Sequence, residues 1–150
     1  MKTGLLAGEP LWELEDAELV RRCAAYKAAV CLRDPDDRGE RAILNLGHTF
    51  AHALEAGASF EGVTHGQAVG LGLLAALRLS GVDTAPVEEV LSPQPVHVDR
   101  ERAWEALQRD KKAADGRVRL VLLEAPGRPV HGVERPEEEV RAALDALIQG

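Results

Sequence analysis

Four side chains between residues 41 and 52 have types and spacing suited to chemistry. Arg41, Asn45, His48 and His52 follow one another at intervals of four, three and four residues. On a helix turning about 100° per residue they fall within an arc of roughly 60°, and Glu55 extends the same stripe. Ile43, Leu44, Leu46, Phe50, Ala51 and Leu54 make its flanks apolar. A guanidinium can grip a carboxylate or phosphate with two bonds. An amide both donates and accepts, and neutral imidazoles ligate divalent metals or move protons. A solvated face more often carries Lys and Glu on long stems, although a solvent face with incidental histidines accounts for the spacing as well.

Two further details bear on that choice. Gly47 falls inside the predicted helix, where glycine costs about 1 kcal/mol relative to alanine; a close backbone approach is expected there. His65 opens the next predicted helix after a short connection. Such connections favour antiparallel neighbours, which brings His65 toward the stripe. Imidazoles from two packed helices suit Zn²⁺, yet two ligands are fewer than the three that a catalytic zinc takes from protein.

The elements that position these groups read as mostly helical. Asp16 can cap a helix running to about Arg33, with Leu19, Val20, Cys23, Ala24 and Ala28 as its apolar side. Asp34-Pro35-Asp36-Asp37 ends it, and a second helix is predicted from about Gly39 to Ala56, stopping at Gly57. Ser59–Val63 reads as loop. Thr64 and Gln67 have the spacing of a capping box for a third helix ending at Ser80. Its apolar residues lie all round, which places it in the interior. Val82–Asp99 reads as loop with a short helix at Val87–Leu91. Asp99 caps a helix from Arg100 to about Gln108. Arg117–Glu124 and Pro129–Val133 read as a hairpin around Pro126-Gly127. A final helix runs from Pro136 to Ile148, with proline in its first turn; the Glu- and Arg-rich Pro136–Gly150 segment reads as a solvated amphipathic helix or the cover of a dimer contact. The expected architecture is a single, mainly α domain over residues 1–150 with one small β-hairpin.

Composition narrows the function classes. The chain has 150 residues, 45% hydrophobic and 29% charged, with a formal net charge of −7. That charge disfavours nonspecific binding to nucleic acid or anionic membranes, but a local group of Lys and Arg can still hold a small anion. Aromatic residues are scarce, so Leu, Ala and Val must fill the core. Cys23 and Cys31 lie eight residues apart on different faces of a predicted helix and are not expected to pair, which suits a reducing cytoplasm. They read as core or surface filling, and His97 and His131 as structural or solvated. No apolar run reaches the 18 residues of a membrane span, and the first ten residues lack the pattern of a signal peptide.

Several motifs in order carry a resemblance. Arg41-Ala-Ile-Leu-Asn-Leu-Gly-His-Thr-Phe-Ala-His-Ala-Leu-Glu55, followed by His65-Gly-Gln-Ala-Val69, resembles the core signature of 3-dehydroquinate synthases. Lys2-Thr-Gly-Leu-Leu-Ala-Gly with Leu11-Trp12, Lys27-Ala-Ala-Val30 with Asp34, and Asp110-Lys111-Lys112 with Gly116 and the strand after it resemble that family's flanking segments. The likeness covers about Lys2 to Val130. It implies the helical C-terminal domain of the dehydroquinate synthase-like fold. The implied reaction turns 3-deoxy-arabino-heptulosonate 7-phosphate into 3-dehydroquinate in the shikimate pathway, with NAD⁺ and a divalent metal, Zn²⁺ or Co²⁺. By position, His48 and His65 match metal-binding histidines. Lys2, Lys27, Arg41, Asn45 and His52 match substrate-binding or catalytic positions, as does one of Lys111 and Lys112. A phosphorylated sugar acid is the implied substrate and a homodimer the implied assembly.

The resemblance also has departures. Gln67 stands where the family has Glu, removing a charge near the implied metal while still serving the capping box. Ala51 stands where Gly is usual, expected to add a methyl beside the site. The family's metal-binding glutamate would fall three residues before Lys2, outside the chain, as would its NAD⁺-binding domain; no Gly-x-Gly-x-x-Gly occurs here. The chain is therefore expected to be inactive alone. Another sugar-phosphate cyclase domain, or a noncatalytic remnant, would share many of the same residues.

Overall fold

In the computed structural model the described residues are 1–59, 62–113 and 117–149, except for the side chains of 110–113. Among the described residues the chain forms seven helices, α1 (Lys2–Ala7), α2 (Asp16–Arg33), α3 (His48–Gly57), α4 (His65–Ser80), α5 (Ala85–Leu91), α6 (Arg100–Ala113) and α7 (Glu137–Asp145), and one antiparallel hairpin of β1 (Leu120–Ala125) and β2 (Arg128–Val133). The mainly helical reading with a small hairpin is what the chain adopts. No helix among the described residues is long and apolar enough to cross a membrane.

Helix α4 is the central element. It starts on the expected capping box: the Thr64 hydroxyl accepts from the Gln67 backbone N–H, and the Gln67 side-chain oxygen accepts from the Thr64 N–H. It ends at Gly81, whose φ of 67° is the left-handed conformation that glycine adopts without strain. Ala68 and every residue from Gly70 to Leu77 are buried. The apolar pattern on all sides of α4 is satisfied by α3, α5, α7 and β1, which pack around it. The hairpin is tied to its end by Ser80, whose hydroxyl donates to Ala76 O and accepts from Leu123 N. Leu122 and Leu123 are both buried although adjacent, because the β1–β2 register is irregular on either side of them.

Other expectations are refined. The helix begun at Arg100 continues to Ala113, with the Asp99 carboxylate accepting from Arg102 N at its start. The short helix begins at Ala85, and α1 was not anticipated from the sequence. Helix α7 is amphipathic as expected, with Val140 and Leu144 in the core and Glu137, Glu138 and Glu139 exposed, and the chain beyond it pairs with Val96 at Ile148.

The predicted helix from Gly39 to Ala56 does not form as one piece. Glu40–Asn45 is a 3-10 segment, the backbone turns at Leu46 and Gly47, and α3 starts at His48. The cause is the contact at Gly47. Its φ is 79°, and a β-carbon on it would lie 2.8 Å from Leu73 N and 2.9 Å from Gly72 C in the middle of α4. The close approach expected at Gly47 is real, and it sits at a helix start rather than inside a helix.

Candidate functional site

The 3-10 segment owes its position to Asp34. This buried carboxylate accepts from Arg38 N at 2.7 Å, Gly39 N at 3.0 Å and Arg41 N at 2.9 Å. These bonds, led by the one from Arg41, hold its pKa below the usual carboxylate range. One side chain thus folds the Asp-Pro-Asp-Asp run back and delivers Arg41 and Asn45 to the same wall as His48.

That wall belongs to a cleft of about 700 Å³ lined by Lys2, Lys27, Arg41, Asn45 and His48 together with Asp37 and apolar groups of α2. Three of the four stripe residues, Arg41, Asn45 and His48, line this cleft, and His52 does not. Arg41 and Asn45 lie on the 3-10 segment and His48 on α3, and their convergence comes from the fold-back, not from one helix face. The apolar side predicted for α2 faces the cleft: Leu19, Val20, Cys23 and Ala24 line it, Val20 is 67% exposed, and Val30 is the buried residue of this helix. Cys23 is therefore cleft wall rather than filling. Both cysteines are free thiols.

Lys2 comes from α1. Its Nζ donates to Leu44 O at 2.7 Å, fixing α1 against the 3-10 segment. Burial, and then the charge of Lys27, lower its pKa. Three cations, Lys2, Lys27 and Arg41, line the cleft against one carboxylate, Asp37, which favours an anionic occupant.

His48 lines the cleft, and the rings of His52 and His65 lie against it. The rings of His48 and His65 have centroids 5.6 Å apart at an interplanar angle of 72°. The short α3–α4 connection does bring His65 to His48. His52 is exposed, with its ring 5.7 Å from that of His48 and outside the cleft lining. His48 Nδ1 bonds Leu46 O at 3.2 Å, and His65 Nδ1 bonds Glu55 Oε1 at 2.8 Å. Burial, and after it the Lys2 charge, lower the His48 pKa, which keeps the ring neutral.

These residues fit part of a divalent-metal site. Two bonds of about 2.0–2.1 Å from one ion at a near-tetrahedral angle would set two imidazole centroids about 5–5.5 Å apart, close to what His48 and His65 show. Neutral nitrogen donors suit Zn²⁺ and Co²⁺. The set is incomplete: among the described residues no group of three or more His, Cys, Asp or Glu side chains is placed to hold an ion.

Several site expectations have other outcomes. Ala51 is fully buried, its backbone in the α3–α4 seam near Gly72 and outside the cleft lining. Lys111 and Lys112 are in α6, but their side chains, with that of Asp110 and all of Gly116, lie outside the described residues. Asp37, at a φ of 54° in the cleft wall, was read only as part of a helix terminator. Glu55 was noted as extending the stripe, but its pairing with His65 needed the α3–α4 packing to become visible.

Residues 6–113 match the family model described as 3-dehydroquinate synthase C-terminal. The 3-dehydroquinate synthase of Gloeobacter violaceus is 44% identical over 142 residues, covering 86% of this chain and 39% of that protein. That of Dehalococcoides mccartyi is 38% identical over 125 residues, covering 75% and 34%. That of Haemophilus ducreyi is 33% identical over 148 residues, covering 89% and 40%. The chain spans 34–40% of the length of these relatives. Two solved structures share the fold. One is a 2-epi-5-epi-valiolone synthase from Streptomyces hygroscopicus with NAD⁺ and Zn²⁺ bound, at a TM-score of 0.69 and 20% identity, covering 87% of this chain and 39% of that one. The other is a 2-deoxy-scyllo-inosose synthase complexed with carbaglucose-6-phosphate, NAD⁺ and Co²⁺, at 0.70 and 19%, covering 96% and 45%.

Proposed function

The chain belongs to the 3-dehydroquinate synthase C-terminal family, and from that premise we propose that it supplies the metal and substrate ligands of a 3-dehydroquinate synthase. The reaction is conversion of 3-deoxy-arabino-heptulosonate 7-phosphate to 3-dehydroquinate and phosphate. The observation that carries this reading is the continuity of a basic cleft with an imidazole pair: Lys2, Lys27, Arg41, Asn45 and His48 line one cleft, and His65 stands beside His48.

Each residue has a task in this reading. The substrate carries a phosphate and a carboxylate. Lys2 and Lys27 offer cations at a place where their mutual repulsion is relieved by a bound anion. Arg41, anchored through its backbone by Asp34, holds an oxyanion with two parallel bonds. Asn45 donates to a substrate hydroxyl or carbonyl. His48 and His65 present ring nitrogens to a divalent ion, Zn²⁺ or Co²⁺. His52, exposed next to His48, relays a proton. One of Lys111 and Lys112 is the further substrate lysine that the family motif implies. A divalent ion held by His48 and His65 would supply Lewis acidity toward substrate hydroxyls, and hydride transfer would need NAD⁺ held outside these residues.

NAD⁺ is assigned to an N-terminal domain outside these 150 residues, so residues 1–150 act as one domain of a larger, dimeric, cytoplasmic enzyme and do not turn over alone. Pre-positioned reactants can lower a barrier by roughly 7–11 kcal/mol, and that contribution needs both domains. The dehydroquinate reading is preferred over related cyclases because relatives at 33–44% identity bear the dehydroquinate synthase name, whereas the two cyclase structures are at 19–20%. The test is turnover of the heptulosonate phosphate with saturating NAD⁺ and Zn²⁺, by the chain alone and with an N-terminal half added. Activity only in the second case, lost in Lys27→Ala, supports the reading. Activity of the chain alone sinks the two-domain assignment. Cyclisation only of a different sugar phosphate points to a related cyclase, and no turnover in either case points to a noncatalytic remnant.

A further inference from the structure

Glu55 and Leu46 O play equivalent parts. Each places an oxygen against the Nδ1 of one of the paired histidines. A backbone carbonyl can only accept, and so can an ionised carboxylate, so in both rings Nδ1 must carry the proton and donate. The nitrogen left with a free lone pair is then Nε2 in both. Glu55 differs from Leu46 O in being a side chain, and it is well placed for a fixed role. Its side chain is 13% exposed, against 61% for His65. It sits on the last turn of α3, while His65 is the first residue of α4. The bond therefore spans the two helices and orients the more exposed of the two rings.

We propose that Glu55 is a positioning residue that holds His65 in its Nδ1–H tautomer and so presents Nε2 toward the ion shared with His48. This rests on the metal reading given above. Carboxylate partners of this kind raise the basicity of a ligating imidazole and fix its orientation, and losing one typically costs 10–100-fold in metal affinity. A simple helix-to-helix tie would affect stability but would not select a tautomer.

The experiment uses the full 150-residue chain, ¹⁵N-labelled at histidine and held in metal-free buffer at about pH 8, above the ordinary imidazole range. Long-range ¹H–¹⁵N spectra report which ring nitrogen carries the proton, and Zn²⁺ affinity is measured in parallel by chelator competition. The wild-type chain is expected to show His65 as Nδ1–H. Glu55→Ala should shift it toward Nε2–H and weaken Zn²⁺ binding about 10–100-fold. Glu55→Gln, whose amide oxygen can still accept from Nδ1, should retain the tautomer and most of the affinity, and it keeps the test valid should the alanine variant fail to fold. An Nε2–H His65 in the wild-type chain overturns the proposal. So does a tautomer unmoved in a folded Glu55→Ala, or a shifted tautomer with affinity unchanged. Zn²⁺ uptake untouched by both His48→Ala and His65→Ala refutes the metal reading instead, and with it the role toward the ion, while the tautomer result is read separately.

Discussion

Gly47 and Gly72 meet backbone to backbone: a β-carbon on Gly72 would lie 2.1 Å from Gly47 O. This contact sets the distance between α3 and α4, and hence between His48, one residue after Gly47, and His65, at the start of α4. Atoms that close cannot be relieved by a rotamer change, since the obstacle is main chain. Gly72→Ala is therefore expected to lower the unfolding free energy by about 1–3 kcal/mol through overpacking, and to separate the histidines enough to weaken Zn²⁺ uptake. Gly66→Ala is the control. It lies in the first turn of α4 with nothing within 4 Å of an added methyl, and should be neutral or stabilising by up to about 1 kcal/mol. Urea denaturation of both variants checks the contrast.

If His48 and His65 serve one ion, removing either removes most of what the pair provides. His48→Ala and His65→Ala should each weaken Zn²⁺ binding, and the double variant should be little worse than either single one. The coupling between the two substitutions is expected at about 1–3 kcal/mol. Strictly additive losses, measured by chelator competition, would mean that the imidazoles bind separately.

His48 also makes stability depend on pH in a definite direction. Burial, then the Lys2 charge, lower its pKa from the ordinary 6.5. As pH falls below 6.5 the unfolded chain takes up the proton first, so the unfolded state binds more protons between 6.5 and the folded value. Stability therefore rises with pH across that window and this contribution is flat above it. In chelator-treated samples, the fall in unfolding free energy from about pH 7.5 to about pH 5.5 should be larger for the wild-type chain than for His48→Gln. An equal fall in both would remove His48 as the source.

The capping box of α4 predicts a further effect. Thr64→Ala removes the acceptor for Gln67 N, and should cost about 1 kcal/mol. Because His65 is the next residue, the first turn should loosen, detectable as faster amide exchange at Gly66 and Gln67. Gln67→Glu preserves the box and should not show this exchange.

Much of this protein was legible in its residues because the relevant signals are local. The capping box at Thr64, the all-round apolar surface of α4, the hairpin turn at Gly127 and the glycine stop at Gly81 depend on neighbours within a few positions. The spaced motif from Arg41 to Glu55, continued at His65, was enough to point to the family. The sequence also determined that His48 and His65 would be close, since a short connection between two helices leaves little choice but to return.

What only the tertiary structure decided lies at longer range. The break between the 3-10 segment and α3 follows from Gly47 pressing on Gly72, a contact between residues 25 positions apart. The local pattern around Gly47 favours an unbroken helix. Whether the apolar side of α2 faces core or cleft depends on which elements pack against it, and its own periodicity is the same either way. Asp34 became the anchor of Arg41 only once the chain folded back onto its carboxylate. Glu55 became the partner of His65 only when two helices were set side by side. Periodicity reports which residues of one element share a face; what that face meets is fixed by backbone contacts and hydrogen bonds between elements, and these exist only in the assembled fold.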